Sequence, residues 1–169
     1  MVDIPDPQPG LVIRFGYLWR DEQDKGREEA SKDRPSAVVM AFNESDGRKR
    51  VAVVPITHTK PHARSGAIPV PPATARRLGL DDVPQWIVTR EINLFTWPGV
   101  DIRAVPGSHP ATIAYGQLPY TLTEQVLAAV REHVRQKAAK SVERDEAGFA
   151  VPRARSAKGK SDKDRGVGD

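Results

Sequence analysis

Between Leu11 and Gly116 the apolar residues come in short, β-branched runs that proline and glycine repeatedly interrupt. Such runs are typical of β-strands, whereas an amphipathic helix needs apolar residues that recur over several turns. The pattern therefore predicts a β-rich body. The predicted strands are residues 11–18, 36–42, 50–56, 67–70, 85–93 and 113–115.

Two segments follow a helical pattern instead. Residues 72–80 begin with Pro72, which is favoured in a first helical turn, and end near Gly79, which is favoured just after a helix. A longer helix begins near Thr121, because Thr121 and Glu124 have the spacing of a capping box. Its apolar stripe recurs at every fourth residue and consists of Leu122, Val126, Val130 and Val134. These elements predict a mainly β (α+β) fold, in which one C-terminal helix packs on a small barrel.

The chain has 169 residues, enough for one such domain and a polar tail. Residues 141–169 contain almost no large apolar side chains and are rich in charge, glycine and serine, so we predict that they are disordered. Residues 1–140 are assigned to the folded domain. The basic block near the end of the tail either contacts RNA phosphates or only keeps the tail solvated.

Charge and cysteine content exclude several classes of protein. The 26 Lys and Arg against 22 Asp and Glu give a net charge of +4, which is a small excess. The absence of Cys excludes disulfides, Cys-ligated zinc, iron–sulfur clusters and thiol nucleophiles, and it agrees with a reducing cytoplasm. No stretch approaches the roughly 18 apolar residues of a membrane span, so we expect a soluble protein.

The strongest local signal is a β-hairpin, in which two apolar strands flank a polar connection with Asp-Gly at 46–47. If the turn is centred there, Ser36 lies opposite Thr57. Arg34 then lies opposite Thr59 and diagonal to Thr57 on the same face, with Cα atoms about 7 to 8 Å apart. A slip of one residue would turn Thr57 to the other face, and the polar connection does not fix the register. In the first register, Arg34 and Thr57 can share one ligand.

Four short motifs follow one another along the β-rich body. They are Pro9-Gly10, Lys32-Asp33-Arg34-Pro35, Val54-Pro55-Ile56-Thr57 and Tyr115-Gly116-Gln117-Leu118. Their order and spacing resemble those of MazF/PemK-type bacterial toxins over roughly residues 9–137. The resemblance implies a homodimer of SH3-like barrels in the bacterial cytoplasm. It also implies cleavage of single-stranded RNA without metal or other cofactor, and inhibition by a cognate antitoxin protein.

By position, the resemblance implies that Arg34 and Thr57 are the catalytic pair. A guanidinium binds phosphate oxygens bidentately and stays protonated, and a threonine hydroxyl can donate to a phosphate oxygen. Neither group is an effective proton acceptor. His58 lies beside Thr57 and is the candidate acceptor, because imidazole exchanges protons near neutral pH. The alternative is a loop histidine without a catalytic role.

RNA binding requires surfaces for base stacking and cations for phosphates. The predicted RNA-binding residues are Lys32, Trp19, Arg20, Thr59, Lys60, Arg64 and Trp97. Core packing is the alternative for the tryptophans. We predict no metal site, because His58 and His62 have no acidic residue or Cys between them.

Three departures from the family pattern keep other functions open. Residues 20–31 form a long charged segment, residues 58–84 and 94–112 exceed the compact family plan, and residues 90–93 replace an Asp-Gln-Ile-Arg type segment. One alternative is a non-catalytic toxin of the same fold that binds DNA gyrase, as the CcdB branch does. Another is a barrel that binds RNA or protein without cleaving anything.

Overall fold

The computed structural model describes residues 1–17, 32–61, 66–136, 140–144 and 150–151, which contain nine strands and two helices. The strands are β1 (Leu11–Tyr17), β2 (Lys32–Asn43), β3 (Lys49–Thr57), β4 (Ala67–Pro69), β5 (Trp86–Val88), β6 (Glu91–Trp97), β7 (Ala114–Gln117), β8 (Lys140–Arg144) and β9 (Ala150–Val151). The helices are α1 (Pro72–Arg77), between β4 and β5, and α2 (Tyr120–Arg135), between β7 and β8.

The strands form one sheet in the order β7-β1-β2-β3-β6-β8-β9, and β5 and β4 branch from the end of β3. The pairs are antiparallel except for β6 with β8. Within the described residues no pairing joins β7 to β9, so the sheet does not close into a barrel. The mainly β fold with a C-terminal helix is confirmed, but the predicted closure is wrong. β8 occupies the outer edge of β6, so no described strand pairs there to close the sheet into a barrel.

Both faces of the central strands are buried. One apolar cluster lies on the face that α1 and α2 cover, and it includes Val12, Val54, Ile56, Leu78, Leu122 and Val126. The opposite face carries a second cluster around Phe15 and Phe95, whose rings stack with centroids 4.6 Å apart. Burial on both faces explains why the central strands read as continuous apolar runs rather than as an alternating pattern.

Several element boundaries differ from the prediction. Residues 85–93 form two strands rather than one, because a turn at Thr89 and Arg90 separates β5 from β6. Helix α2 begins after Pro119 and has no side-chain cap, so the predicted capping box is wrong. Its stripe is buried at Leu122 and Val126, whereas Val134 in the last turn is 53% exposed.

Part of the predicted disordered tail is described as strand. β8 pairs with β6 from Lys140 opposite Glu91 to Arg144 opposite Phe95, and β9 pairs with β8. The remainder of the tail lies outside the described residues. Among the helices that the structure describes, none is long and apolar enough to cross a membrane.

Candidate functional site

The β2–β3 hairpin carries the two residues that the sequence assigns to catalysis. Near the turn the strands pair one residue away from the predicted register. An irregularity between Val38 and Met40 shifts the pairing by one more residue, so Ser36 lies opposite Pro55 rather than Thr57. The predicted register is therefore wrong by two residues. Beyond the irregularity the shift is even, so residues 36–38 and 53–55 keep their predicted faces, because side chains alternate along a strand.

Arg34 and Thr57 both lie beyond the end of the β2–β3 pairing. The described ladder ends at Ser36 and Pro55, and Thr57 pairs with Trp86 of β5. The predicted pairing of Arg34 with Thr59 is not part of this ladder. Arg34 lies opposite Phe15 of β1. Arg34 is partly buried, and Thr57 is only 5% exposed.

A cavity of about 210 Å³ lies at this end of the hairpin. Its charged and aromatic lining residues are Arg14, Asp33, Arg34, His58, Asp81 and Tyr115. Thr57 lies outside the described lining. The cavity thus brings Arg34 together with His58, whereas the sequence placed Arg34 with Thr57.

Arg14 is held in the cavity by two contacts. Its Nη2 lies 3.2 Å from Asp33 Oδ2, and its Nη1 donates a hydrogen bond of 3.0 Å to the Ala104 carbonyl oxygen. A cation whose position is fixed before a ligand arrives can stabilise developing negative charge without reorganisation. Arg14 therefore adds a second arginine to the residues that line the cavity, and the sequence did not predict it.

Thr57 shapes the chain at the end of β3. Its Oγ1 accepts a hydrogen bond of 3.1 Å from the backbone N–H of Thr59. Such a side-chain turn bends the backbone directly after the strand. His58 lies inside this turn, is exposed, and lines the cavity. The hydrogen bond between Thr57 and Thr59 therefore positions His58.

Tyr115 is a lining residue whose pKa is shifted. Burial raises the pKa of its hydroxyl above the ordinary 10.0, and the carboxylates of Asp81 and Asp33 raise it further, whereas Arg14 lowers it. The phenol is therefore protonated at neutral pH. In the sequence, Tyr115 is notable only as part of a family motif. The following Gly116, a sign of an irregular strand, was the available signal for its unusual position.

The predicted RNA-binding residues are not gathered at one place. Thr59 and Lys60 are exposed just after His58, and Lys32 opens β2 opposite Tyr17. Trp97 pairs with Lys49 at the turn end of the hairpin, about 26 Å along β3 from Thr57 at 3.3 Å per residue. It packs on Phe95 with ring centroids 6.0 Å apart. Trp19, Arg20 and Arg64 lie outside the described residues.

Residues 90–93, which depart from the family pattern, make structural contacts. Arg90 Nε donates to His133 Nδ1 at 3.3 Å, and His133 Nε2 lies 2.9 Å from Thr89 Oγ1. Asn93 is fully buried in β6. This segment therefore anchors α2 to the sheet, away from the cavity.

Within the described ranges no group of three or more His, Cys, Asp or Glu could hold a metal ion. The chain matches no protein-family model and no curated protein. A functional assignment therefore depends on the geometry of the cavity and on the motifs quoted above.

Proposed function

We propose that the chain is a MazF/PemK-like toxin of a bacterial type II toxin–antitoxin system, and that it cleaves single-stranded RNA without a metal ion. The observation that carries the proposal is that Arg14, Arg34 and His58 line the same cavity. The proposal includes an SH3-like fold in open form and a homodimer. It also includes a cognate antitoxin as partner and the bacterial cytoplasm as compartment.

Metal-independent cleavage of this kind uses the 2′-hydroxyl of the RNA as nucleophile. The protein then has to hold the phosphodiester, offset its developing charge and move protons. Arg34 and Arg14 supply planar guanidinium groups that suit phosphate oxygens. His58 supplies a group that accepts the proton of the 2′-hydroxyl. The cavity therefore contains the proton acceptor that Arg34 and Thr57 alone lack.

The test is cleavage of a mixed set of single-stranded RNAs by the purified protein in excess EDTA. We expect Arg34→Ala to lower the rate about 10²- to 10³-fold and His58→Gln to lower it about 10²- to 10⁴-fold. Arg131→Ala is the matched control, since Arg131 is an exposed helical cation outside the cavity lining. Absence of cleavage by the wild-type protein, or undiminished cleavage by Arg34→Ala, would overturn the proposal.

Thr57→Val separates the two versions of the site. It removes the hydroxyl that accepts the Thr59 N–H but preserves the shape of the side chain. If Thr57 acts by positioning His58, the rate falls less than in His58→Gln, and the His58→Gln/Thr57→Val double variant is no slower than His58→Gln. If Thr57 contacts the phosphate itself, its loss lowers the rate further in the double variant.

The same preparations distinguish the other functions. Binding of labelled RNA without cleavage indicates a binding module. Inhibition of gyrase supercoiling by wild type and Arg34→Ala alike indicates a gyrase-directed toxin. Cleavage that depends on Arg34 and His58 supports the nuclease against both.

A further inference from the structure

Tyr115 is the extra residue of an irregular pairing between β1 and β7. Val12 lies opposite Gly116 and Ile13 lies opposite Ala114, so Tyr115 has no residue directly opposite. An extra residue of this kind breaks the regular alternation and re-aims a side chain, and such bulges are frequent beside active sites. Here the re-aimed side chain lines the cavity that contains Arg34 and His58.

Hydrogen bonds hold the backbone just after Tyr115 in place. Gln117 Nε2 donates to the Pro9 carbonyl oxygen at 2.8 Å, and Arg77 Nη2 donates to the Gln117 carbonyl oxygen at 2.7 Å. The Leu118 N–H donates to the Gly10 carbonyl oxygen at 2.9 Å. The phenol is therefore presented from a fixed element, which suits a group that must meet a reacting atom.

Resting on the nuclease proposed above, we propose that Tyr115 is the general acid that protonates the leaving 5′-oxygen. His58 takes the proton of the 2′-hydroxyl while the 2′-oxygen bonds to phosphorus. The bond from phosphorus to the 5′-oxygen breaks, and Tyr115 Oη gives its proton to that oxygen. The products are a 2′,3′-cyclic phosphate and a 5′-hydroxyl; afterwards the phenolate regains a proton from solvent and His58 releases its proton to solvent.

The other lining groups are less suited to this step. Arg14 and Arg34 hold their protons too tightly to give them up in each turnover. Asp33 is already engaged by Arg14, with 3.2 Å between its Oδ2 and Arg14 Nη2. The phenol stays protonated at neutral pH because its surroundings raise its pKa. It is still a stronger acid than the alcohol that leaves, so the transfer is favourable.

A substrate with sulfur in place of the leaving 5′-oxygen tests the assignment, because a thiolate leaves without being protonated. On the oxygen substrate we expect Tyr115→Phe to cut about 10²- to 10⁴-fold more slowly than wild type. On the sulfur substrate the two proteins cut at similar rates. His58→Gln remains slow on both substrates, because the 2′-hydroxyl still has to lose its proton. Tyr120→Phe is the matched control, since Tyr120 is 79% exposed.

Each outcome has a distinct meaning. If wild type cuts and Tyr115→Phe is equally fast on the oxygen substrate, or equally slow on both substrates, Tyr115 is not the acid while the nuclease proposal survives. If wild type cuts neither substrate, both proposals fail. Should Tyr115→Phe not fold, 3,5-difluorotyrosine at position 115 keeps the hydroxyl and lowers its pKa. The alkaline limb of the pH–rate profile then moves to lower pH, and an unmoved limb overturns the assignment.

Discussion

His133 joins helix α2 to the turn between β5 and β6 through groups that are far apart in the sequence. Arg90 donates to its Nδ1, so in the neutral ring Nε2 carries the hydrogen and donates to Thr89 Oγ1. Thr89 Oγ1 in turn donates to the Gly66 carbonyl oxygen. This chain of donors requires the neutral imidazole, because a protonated Nδ1 has no lone pair for Arg90.

The pKa of His133 gives the sign of its effect on stability. Burial lowers this pKa below the ordinary 6.5, and the Arg90 charge lowers it further, whereas Glu132 raises it. Below about pH 6.5 the unfolded chain therefore binds more protons at this site than the folded chain does. The folded state loses stability as the pH falls through this window and keeps it above the window.

We predict that His133→Gln has a weaker pH dependence of stability than wild type. Glutamine does not titrate, so the contribution of this site to acid destabilisation disappears. The measurement is the free energy of unfolding in urea at pH 7.5 and at pH 5, for wild type and variant. His109→Gln, which replaces an exposed histidine, is the control. An equal loss of stability in wild type and His133→Gln would contradict the assigned protonation state.

At the scale of single residues, the sequence identified Arg34 and His58 as candidates because their chemistry suits RNA cleavage. It did not find Arg14, since nothing in a strand sequence shows that a neighbouring strand will hold it against Asp33 and Ala104. The contact of Arg90 with His133 was equally hidden, because it joins residues 43 positions apart.

Among the elements, the β2–β3 hairpin was predictable and its register was not. The polar connection indicates a turn, but it does not specify which residues oppose each other, and the irregularity after Val38 leaves no sign in the sequence. The two one-residue differences add up to a shift of two residues at the Ser36 end of the hairpin. His58 lines the cavity together with Ile56, two residues earlier, as the alternation of side chains along β3 predicts.

The bulge at Tyr115 depends on the glycine that follows. Gly116 has φ of +141°, and a Cβ built on it would lie 2.8 Å from Leu78 Cδ2, which belongs to the core under α1. A side chain at this position is strained by the backbone and also contacts a buried leucine. Gly116 therefore lets the strand approach α1 closely while Tyr115 enters the cavity.

We predict that Gly116→Ala lowers the free energy of unfolding by roughly 1–3 kcal/mol. It should also slow RNA cleavage, because the strain is relieved by moving the segment that carries Tyr115. Gly47→Ala is the control: Gly47 also has positive φ, at +86°, but a Cβ there meets nothing within 4 Å. Urea unfolding and cleavage rates are measured for both. A Gly116→Ala protein as stable and active as Gly47→Ala would show that the close approach to Leu78 is unimportant.

For the whole molecule, the sequence predicted the β-rich class and the helix near its end, because both follow from local periodicity. Closure of the sheet was not predictable from the same evidence. It depends on which strand occupies the outer edge of β6. This strand is formed by residues 140–144, and residues 141–144 belong to the tail whose composition indicated disorder. Pairing with a sheet edge depends on tertiary contacts, and a polar segment can pair through its backbone hydrogen bonds alone.

The β6 edge carries the last prediction. β8 pairs with five consecutive residues of β6, so its loss leaves the backbone groups of that edge without their partner strand. We predict that the free energy of unfolding of a chain ending at residue 136 is about 1–3 kcal/mol lower than that of the full chain. The loss of the hydrogen bonds between β8 and β6 outweighs the entropy gained because the segment no longer has to be ordered. The exposed edge should also associate in size-exclusion chromatography.

A proline in β8 tests the pairing without shortening the chain. Val142 lies opposite Asn93, and Val142→Pro removes the N–H at that position and restricts the backbone of the strand. Val167→Pro, in the tail beyond the described residues, is the matched control. We expect Val142→Pro to lower the unfolding midpoint in urea toward that of the shortened chain, while Val167→Pro leaves it unchanged. If Val142→Pro and Val167→Pro unfold at the same midpoint as wild type, β8 does not contribute to the stability of the sheet, and the edge of β6 is stable without it.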